Sequence, residues 1–143
     1  MNNTTSQKSG QRTIPALTGE NYADLAEKVI KNLKTDKNDP NKTRSMLTTS
    51  QIRNLLAMTT DIYNDVQNIQ GTKLDEKIVE RINYLRVRFA YEAGRDPKVG
   101  EFVKEAHIIP YIKHIHDKNT YILFSRYMEA LVAYHRYYGG KDQ

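Results

Sequence analysis

The chain has 143 residues and a formal net charge of +5, enough for one domain with one core. It contains no Cys and no Trp, three Phe and ten Tyr, which excludes disulfide scaffolds, cysteine-based zinc sites and thiol catalysis. The basic balance leans towards nucleic acid. No segment approaches the roughly 18 apolar residues of a membrane span, and the N-terminus lacks the apolar core of a signal peptide, so a soluble, cytoplasmic protein with no membrane partner is expected.

Residues 1–16 are polar, contain Gly10 and Pro15, and read as a disordered tail; 17–143 read as a single helical domain. Thr18 can cap a first helix, with Glu20 in its first turn, and Tyr22, Leu25, Ala26, Val29, Ile30 and Leu33 form its apolar stripe. Residues 34–45 are charged, contain Asn38-Asp-Pro-Asn41 and read as a mobile loop. Thr48-Thr-Ser-Gln51 is a capping-box pattern, opening a second helix with Ile52, Leu55, Leu56, Ile62, Tyr63 and Val66 inward and a break at Gln70-Gly-Thr72. A third helix is predicted from about Leu74 to Ala93, with Ile78, Ile82, Leu85 and Phe89 inward and Gly94 as its C′ residue. Asp96-Pro97 starts a fourth helix, which turns Val99, Phe102, Val103, Ala106 and Ile109 inward. Pro110 breaks or kinks it, because proline removes the bond to the Ala106 carbonyl; Ile112 and Ile115 belong to a short continuation. The fifth helix carries Phe124, Tyr127, Met128, Leu131, Val132 and His135 on one face and ends at Gly139-Gly140. No run alternates at strand period. The pattern predicts an all-α protein, a compact antiparallel bundle of about five helices with a disordered N-terminal tail.

Catalytic patterns are missing. No phosphate-binding glycine loop and no His-x-x-x-His pair occurs. His114 and His116 are two residues apart and diverge by about 200° on a helix, which prevents them from sharing a metal. His107 and His135 read as structural histidines. The carboxylates Glu101, Glu105 and Glu129 are spread among basic residues, as on solvated faces. The reading assigns no catalytic residue, no metal and no cofactor.

The basic residues are more informative. Arg81, Tyr84, Arg88, Tyr91 and Arg95 recur at three or four residues on the third helix, rotated away from its apolar stripe. Such a face can set guanidinium groups against phosphates with tyrosines beside them. Equally, Arg81 and Arg88 can pair with carboxylates such as Glu80 and Glu92 while the tyrosines complete the core. Arg53 has uncharged neighbours, Gln51 and Asn54. The last helix carries Arg126, Tyr134, Arg136 and Tyr137 outside its apolar face.

Three segments carry a resemblance. Leu47-Thr-Thr-Ser-Gln-Ile-Arg-Asn-Leu-Leu56, Arg81 to Arg95, and Phe124 to Lys141 closely resemble the small subunit of type III-A CRISPR effector complexes, the Csm complexes, and Asn21 to Glu27 also fits. The resemblance runs from about residue 17 to the end. It implies a helical, non-catalytic protein whose copies stack head to tail into an inner filament. That filament lies beside the backbone and large subunits, along the guide RNA–target RNA duplex. On this reading Arg53, Arg81, Arg88, Arg95, Arg126, Arg136 and Lys141 are the RNA-binding candidates. A free-standing helical nucleic-acid-binding protein is the alternative.

Overall fold

The computed structural model describes residues 13–141. Six helices follow in order: α1 (Tyr22–Lys34), α2 (Thr49–Val66), α3 (Glu76–Arg95), α4 (Pro97–Glu105), α5 (Ile108–Lys113) and α6 (Lys118–Tyr137). Among the described residues there is no strand, and one isolated antiparallel bridge joins Thr35 to Thr43. The first twelve residues of the expected tail lie outside the described residues. Beyond them, Ile14 and Leu17 pack on the core, and the Pro15 carbonyl accepts from the Tyr111 hydroxyl at 2.6 Å.

The helix starts follow local chemistry. Thr48 and Gln51 form the predicted capping box, the Thr48 hydroxyl accepting from the Gln51 amide at 3.1 Å and the Gln51 side chain accepting from the Thr48 amide at 2.8 Å. A second box, Asp117 with Thr120, opens α6; the Asp-x-x-Thr spacing was there to be read and was not among the expected signals. Asp75 caps α3. Asn21 is the N-cap of α1, and Thr18 instead organises the turn before it, accepting from the amides of Glu20 and Asn21.

Two expected boundaries are corrected. Gly94 is not a C′ residue: α3 continues to Arg95, and Gly94 is not among the glycines with positive φ. The stop is set by Pro97, which disfavours helical backbone in the residue before it. Asp96 accordingly adopts φ −137° and ψ 122° and caps α4 through the amides of Lys98 and Val99. The break expected at Pro110 lies earlier. Helix α4 ends at Glu105, His107 takes the left-handed φ of 55°, and Pro110 becomes the third residue of α5, where a helix needs no amide donor. The Ala106 carbonyl, which no proline amide can reach, accepts instead from the Tyr127 hydroxyl at 2.9 Å. The break also puts Ile108 in the core, while Ile109 stays half-buried.

The core is one cluster running from Ala26 to Leu131, with Phe89, Phe102, Tyr121, Phe124 and Tyr127 nearly inaccessible. Helix α6 packs on both α1 and α2, and α3 packs on α2, α4 and α5. Polar contacts fix the directions. Near its start α2 meets the ends of α3 and α6, through Gln51 to Asp96 at 3.0 Å and the Thr49 amide to the Lys141 carbonyl at 2.7 Å. Its far half meets their beginnings, through Asp61 and Asp65 to Arg81 and the Thr59 carbonyl to the Tyr121 hydroxyl. Helix α2 is thus antiparallel to both. The loop over 35–48, the α3–α4 corner and the C-terminus gather at one end of the bundle.

That loop is tied down. Arg44 pairs with Glu101 at 2.6 Å and donates through Nε to the Leu33 carbonyl at 2.9 Å. Asp36 and Asp39 cap turns of the loop itself. Helix α6 closes with Gly139 at φ 90°. The Gly140 amide donates to the His135 carbonyl and the Gly139 amide to that of Arg136, the paired bonds of a Schellman ending.

Candidate nucleic-acid interface

Helix α3 was expected to present its arginines on a face of their own, and it does so at the edge of the core. All three have acidic partners. Arg81 bridges to α2, with Asp65 at 2.5 Å, the Asp61 carboxylate at 3.7 Å and the Asp61 carbonyl at 3.2 Å; Glu80 is not its partner. Arg88 lies 3.7 Å and Arg95 3.2 Å from the two oxygens of Glu92. The tyrosines do not complete the core: Tyr84 and Tyr91 are 61% and 60% exposed, and the Arg95 guanidinium lies 5.8 Å from the centre of the Tyr91 ring. Arg88 and Arg95 line a groove of 430 Å³ between α2 and α3, with Gln51, Asn54, Met58 and Glu92 on its walls. Arg81 and Tyr84 line an adjoining one of 280 Å³.

The other four candidates carry charge that the fold leaves uncompensated. Arg53 on α2, Arg126 and Arg136 on α6, and Lys141 beyond it are exposed and make no ion pair among the described residues. Arg126 and Arg136 are ten residues apart, about 15 Å along the helix. Tyr137, 76% exposed, falls within about 20° of Arg126 around the axis of α6. The seven positions therefore divide. Arg81, Arg88 and Arg95 are ion-paired beside the α2–α3 grooves, whereas Arg53, Arg126, Arg136 and Lys141 are free to meet an external anion.

At the end of α6 three tyrosines cluster, Tyr137 and Tyr138 with ring centres 5.0 Å apart and Tyr134 stacked on Tyr138 at 6.3 Å. The Tyr138 hydroxyl donates to Glu27 at 2.6 Å, and that bond holds its ionisation up at about 12. Burial pushes the phenols of Tyr121 and Tyr127 well above the ordinary tyrosine range. Asp96 and Asp117 are held below the usual carboxylate value, each chiefly by the backbone amide it caps, of Val99 and Thr120 respectively.

His135 is buried, with Nε2 2.7 Å from the Leu47 carbonyl, so it pins the entry of α2 to the end of α6. His116 Nδ1 lies 3.0 Å from the His114 carbonyl. No group of three or more His, Asp or Glu among the described residues is arranged to hold a metal, and no described helix is long and apolar enough to cross a membrane.

Comparison with known proteins fits this helical frame. The family model for Csm2 of type III-A matches residues 19–141. The chain belongs to the Csm2 type III-A family. A relative from Streptococcus thermophilus, described as CRISPR system Cms protein Csm2, is 45% identical over 126 residues, covering 88% of this chain and 98% of that protein. One of the same description from Mycobacterium tuberculosis H37Rv is 38% identical over 125 residues, covering 87% and 96%. Another, from Enterococcus italicus, is 39% identical over 95 residues, covering 64% and 68%. All seven candidate positions fall inside the span matched by the Csm2 family, and so do the two capping boxes and the Gly139-Gly140 ending.

Proposed function

We propose that this chain is the non-catalytic, structural small subunit of a type III-A CRISPR RNA-guided effector complex, acting in antiviral defence in the cytoplasm. Copies of it stack into an inner filament beside the backbone and large subunits and support the guide RNA–target RNA duplex. The observation that carries the reading, beside membership of the family, is the set of exposed guanidinium groups without acidic partners, Arg53, Arg126 and Arg136. Side chains of this kind contact phosphates and fix the position of a duplex without reading its sequence, which suits a complex whose guide reads sequence by base pairing. Arg81, Arg88 and Arg95 have a double role here: they hold α2, α3 and Glu92 in place and line the grooves in which a strand or a neighbouring subunit is received. Contacts of each copy are weak, and stacking multiplies them.

The test is to tag the chain in its native host and purify it. Co-purification of a discrete small RNA with the other subunits is expected. In the assembled complex, Arg53→Ala, Arg126→Ala and Arg136→Ala together are expected to weaken target RNA retention while the melting temperature of the chain falls by no more than about 5 °C, since exposed substitutions cost within about 0.5 kcal/mol each. Recovery of the chain from its native host with mixed RNA and none of the other subunits would favour a free-standing nucleic-acid-binding protein instead.

A further inference from the structure

A second cationic feature lies where the 35–48 loop meets the end of α6, and none of its lining residues lines the α2–α3 grooves. A cleft of 390 Å³ opens there, lined by Lys34, Thr43, Arg44, Ser45, Gly139 and Lys141. Its charge is unbalanced. The Arg44 guanidinium is neutralised by Glu101, but Lys34 and Lys141 make neither an ion pair nor a side-chain hydrogen bond among the described residues. Lys98 adds a third ammonium at the rim, its Nζ donating to Ser45 Oγ at 2.7 Å and to the Ser45 carbonyl at 3.1 Å with no carboxylate beside it. The loop's own acids are occupied elsewhere, Asp36 by the Asn38 amide and Asp39 by the Asn41 amide.

The walls are fixed in advance. The Thr35–Thr43 bridge and the Arg44 amide, bonded to the Lys34 carbonyl at 2.7 Å, hold the loop on the end of α1. On the other side, the Thr49 amide bonds the Lys141 carbonyl. Lys34 Nζ lies 3.7 Å from where a side chain at Gly139 would begin, so the Lys34 ammonium reaches the end of α6. Because Ser45 Oγ accepts from Lys98, its own proton is available for donation. The cleft therefore offers ammonium and hydroxyl donors, a set that suits an oxyanion with several acceptor oxygens.

We propose that this cleft seats a backbone phosphate of an RNA strand, held by Lys34 and Lys141 with hydroxyl donation from Thr43 and Ser45. The proposal rests on the RNA-binding reading given above and adds a separate contact point to it.

The experiment uses the full chain and a short oligouridylate, with inorganic phosphate as a parallel probe. Affinity is measured across a salt series for wild type, Lys34→Gln/Lys141→Gln, Lys34→Arg/Lys141→Arg and Arg53→Ala/Arg126→Ala/Arg136→Ala, with thermal melting of each. Amide shifts of Thr43, Ser45, Gly139 and Gly140 are followed by NMR. Each lost phosphate contact lowers the slope of log affinity against log salt by about 0.7 for a single strand, so the glutamine pair, which empties one phosphate site, is expected to lower it by about 0.7 with unchanged melting. The arginine pair should keep the wild-type slope, and the oligouridylate should move the four amides. If the glutamine pair binds like wild type while the arginine-to-alanine triple loses binding, the cleft assignment is overturned and the broader reading stands. If wild type binds no oligouridylate, the cleft assignment is overturned, and target RNA retention by the assembled complex decides the broader reading. If inorganic phosphate moves the four amides and the oligouridylate does not, the site holds a free anion and the strand assignment is overturned.

Discussion

Substituting Gly140 by alanine tests how the last residues lock the bundle. Gly140 is not among the residues with positive φ, so alanine brings no backbone strain there. The problem is space: a Cβ at this position overlaps the His135 ring, at Cε1 and Nδ1. That ring is 1% exposed and bonds the Leu47 carbonyl through Nε2 at 2.7 Å, so it has little freedom to swing away. Displacing it strands a buried carbonyl, at about 1–3 kcal/mol. Forcing the ring to stay costs about 1–3 kcal/mol in overpacking. Since the ring either moves or stays, the two costs are alternatives, and Gly140→Ala should destabilise by about 1–3 kcal/mol. At about 3 °C per kcal/mol for a domain of this size, the melting temperature should fall by roughly 3–9 °C. The decisive comparison is a double-mutant cycle measured by urea unfolding. His135→Ala alone is destabilising, but in that background Gly140→Ala has nothing to collide with and should be nearly neutral. The coupling should reach about 1 kcal/mol or more. Additivity of the two substitutions within about 0.5 kcal/mol would show that the ring and the glycine do not constrain each other, and the account of the C-terminal lock would be wrong.

Tyr127→Phe removes the hydroxyl that serves the Ala106 carbonyl across the α4–α5 break and should cost about 1–3 kcal/mol by calorimetry; a neutral substitution would mean that the break does not depend on it. Phe89→Ala should cost about 3–5 kcal/mol by emptying a fully buried site, whereas Arg88→Ala and Arg95→Ala, which release exposed pairs to Glu92, should each cost under about 0.5 kcal/mol. The Tyr138 phenol is held up to about 12 by its bond to Glu27. A folded value above the ordinary 10 means that its stabilisation is complete below pH 10 and lost as pH rises through about 12. Tyr138→Phe should therefore flatten the fall of stability measured from pH 10 to 12, and an unchanged profile would contradict the Glu27 contact.

Helix identity and much of the core were legible in the chain because they rest on short-range rules. The Thr48–Gln51 box, Pro97 at the first position of α4 and the Gly139-Gly140 ending act within one turn, and the stripe of Ile78, Ile82, Leu85 and Phe89 follows from helical period alone. Boundaries failed where two local signals competed. Gly94 offered a stop that Asp96-Pro97 took over one turn later, and Pro110 set its break three to four residues upstream because Tyr127 could satisfy the carbonyl left there. Which arginines remain free could not be read from spacing. Glu80 is the carboxylate beside Arg81 in sequence, yet the antiparallel packing of α2 on α3 gives Arg81 Asp61 and Asp65 as its partners instead. Lys34, Lys98 and Lys141 are scattered along the chain and become neighbours only because the loop over 35–48, the start of α4 and the end of α6 meet at one end of the bundle. Periodicity and caps, being local, were set by the sequence itself; the pairing of charges depends on distances across the core, and only the tertiary structure decided those.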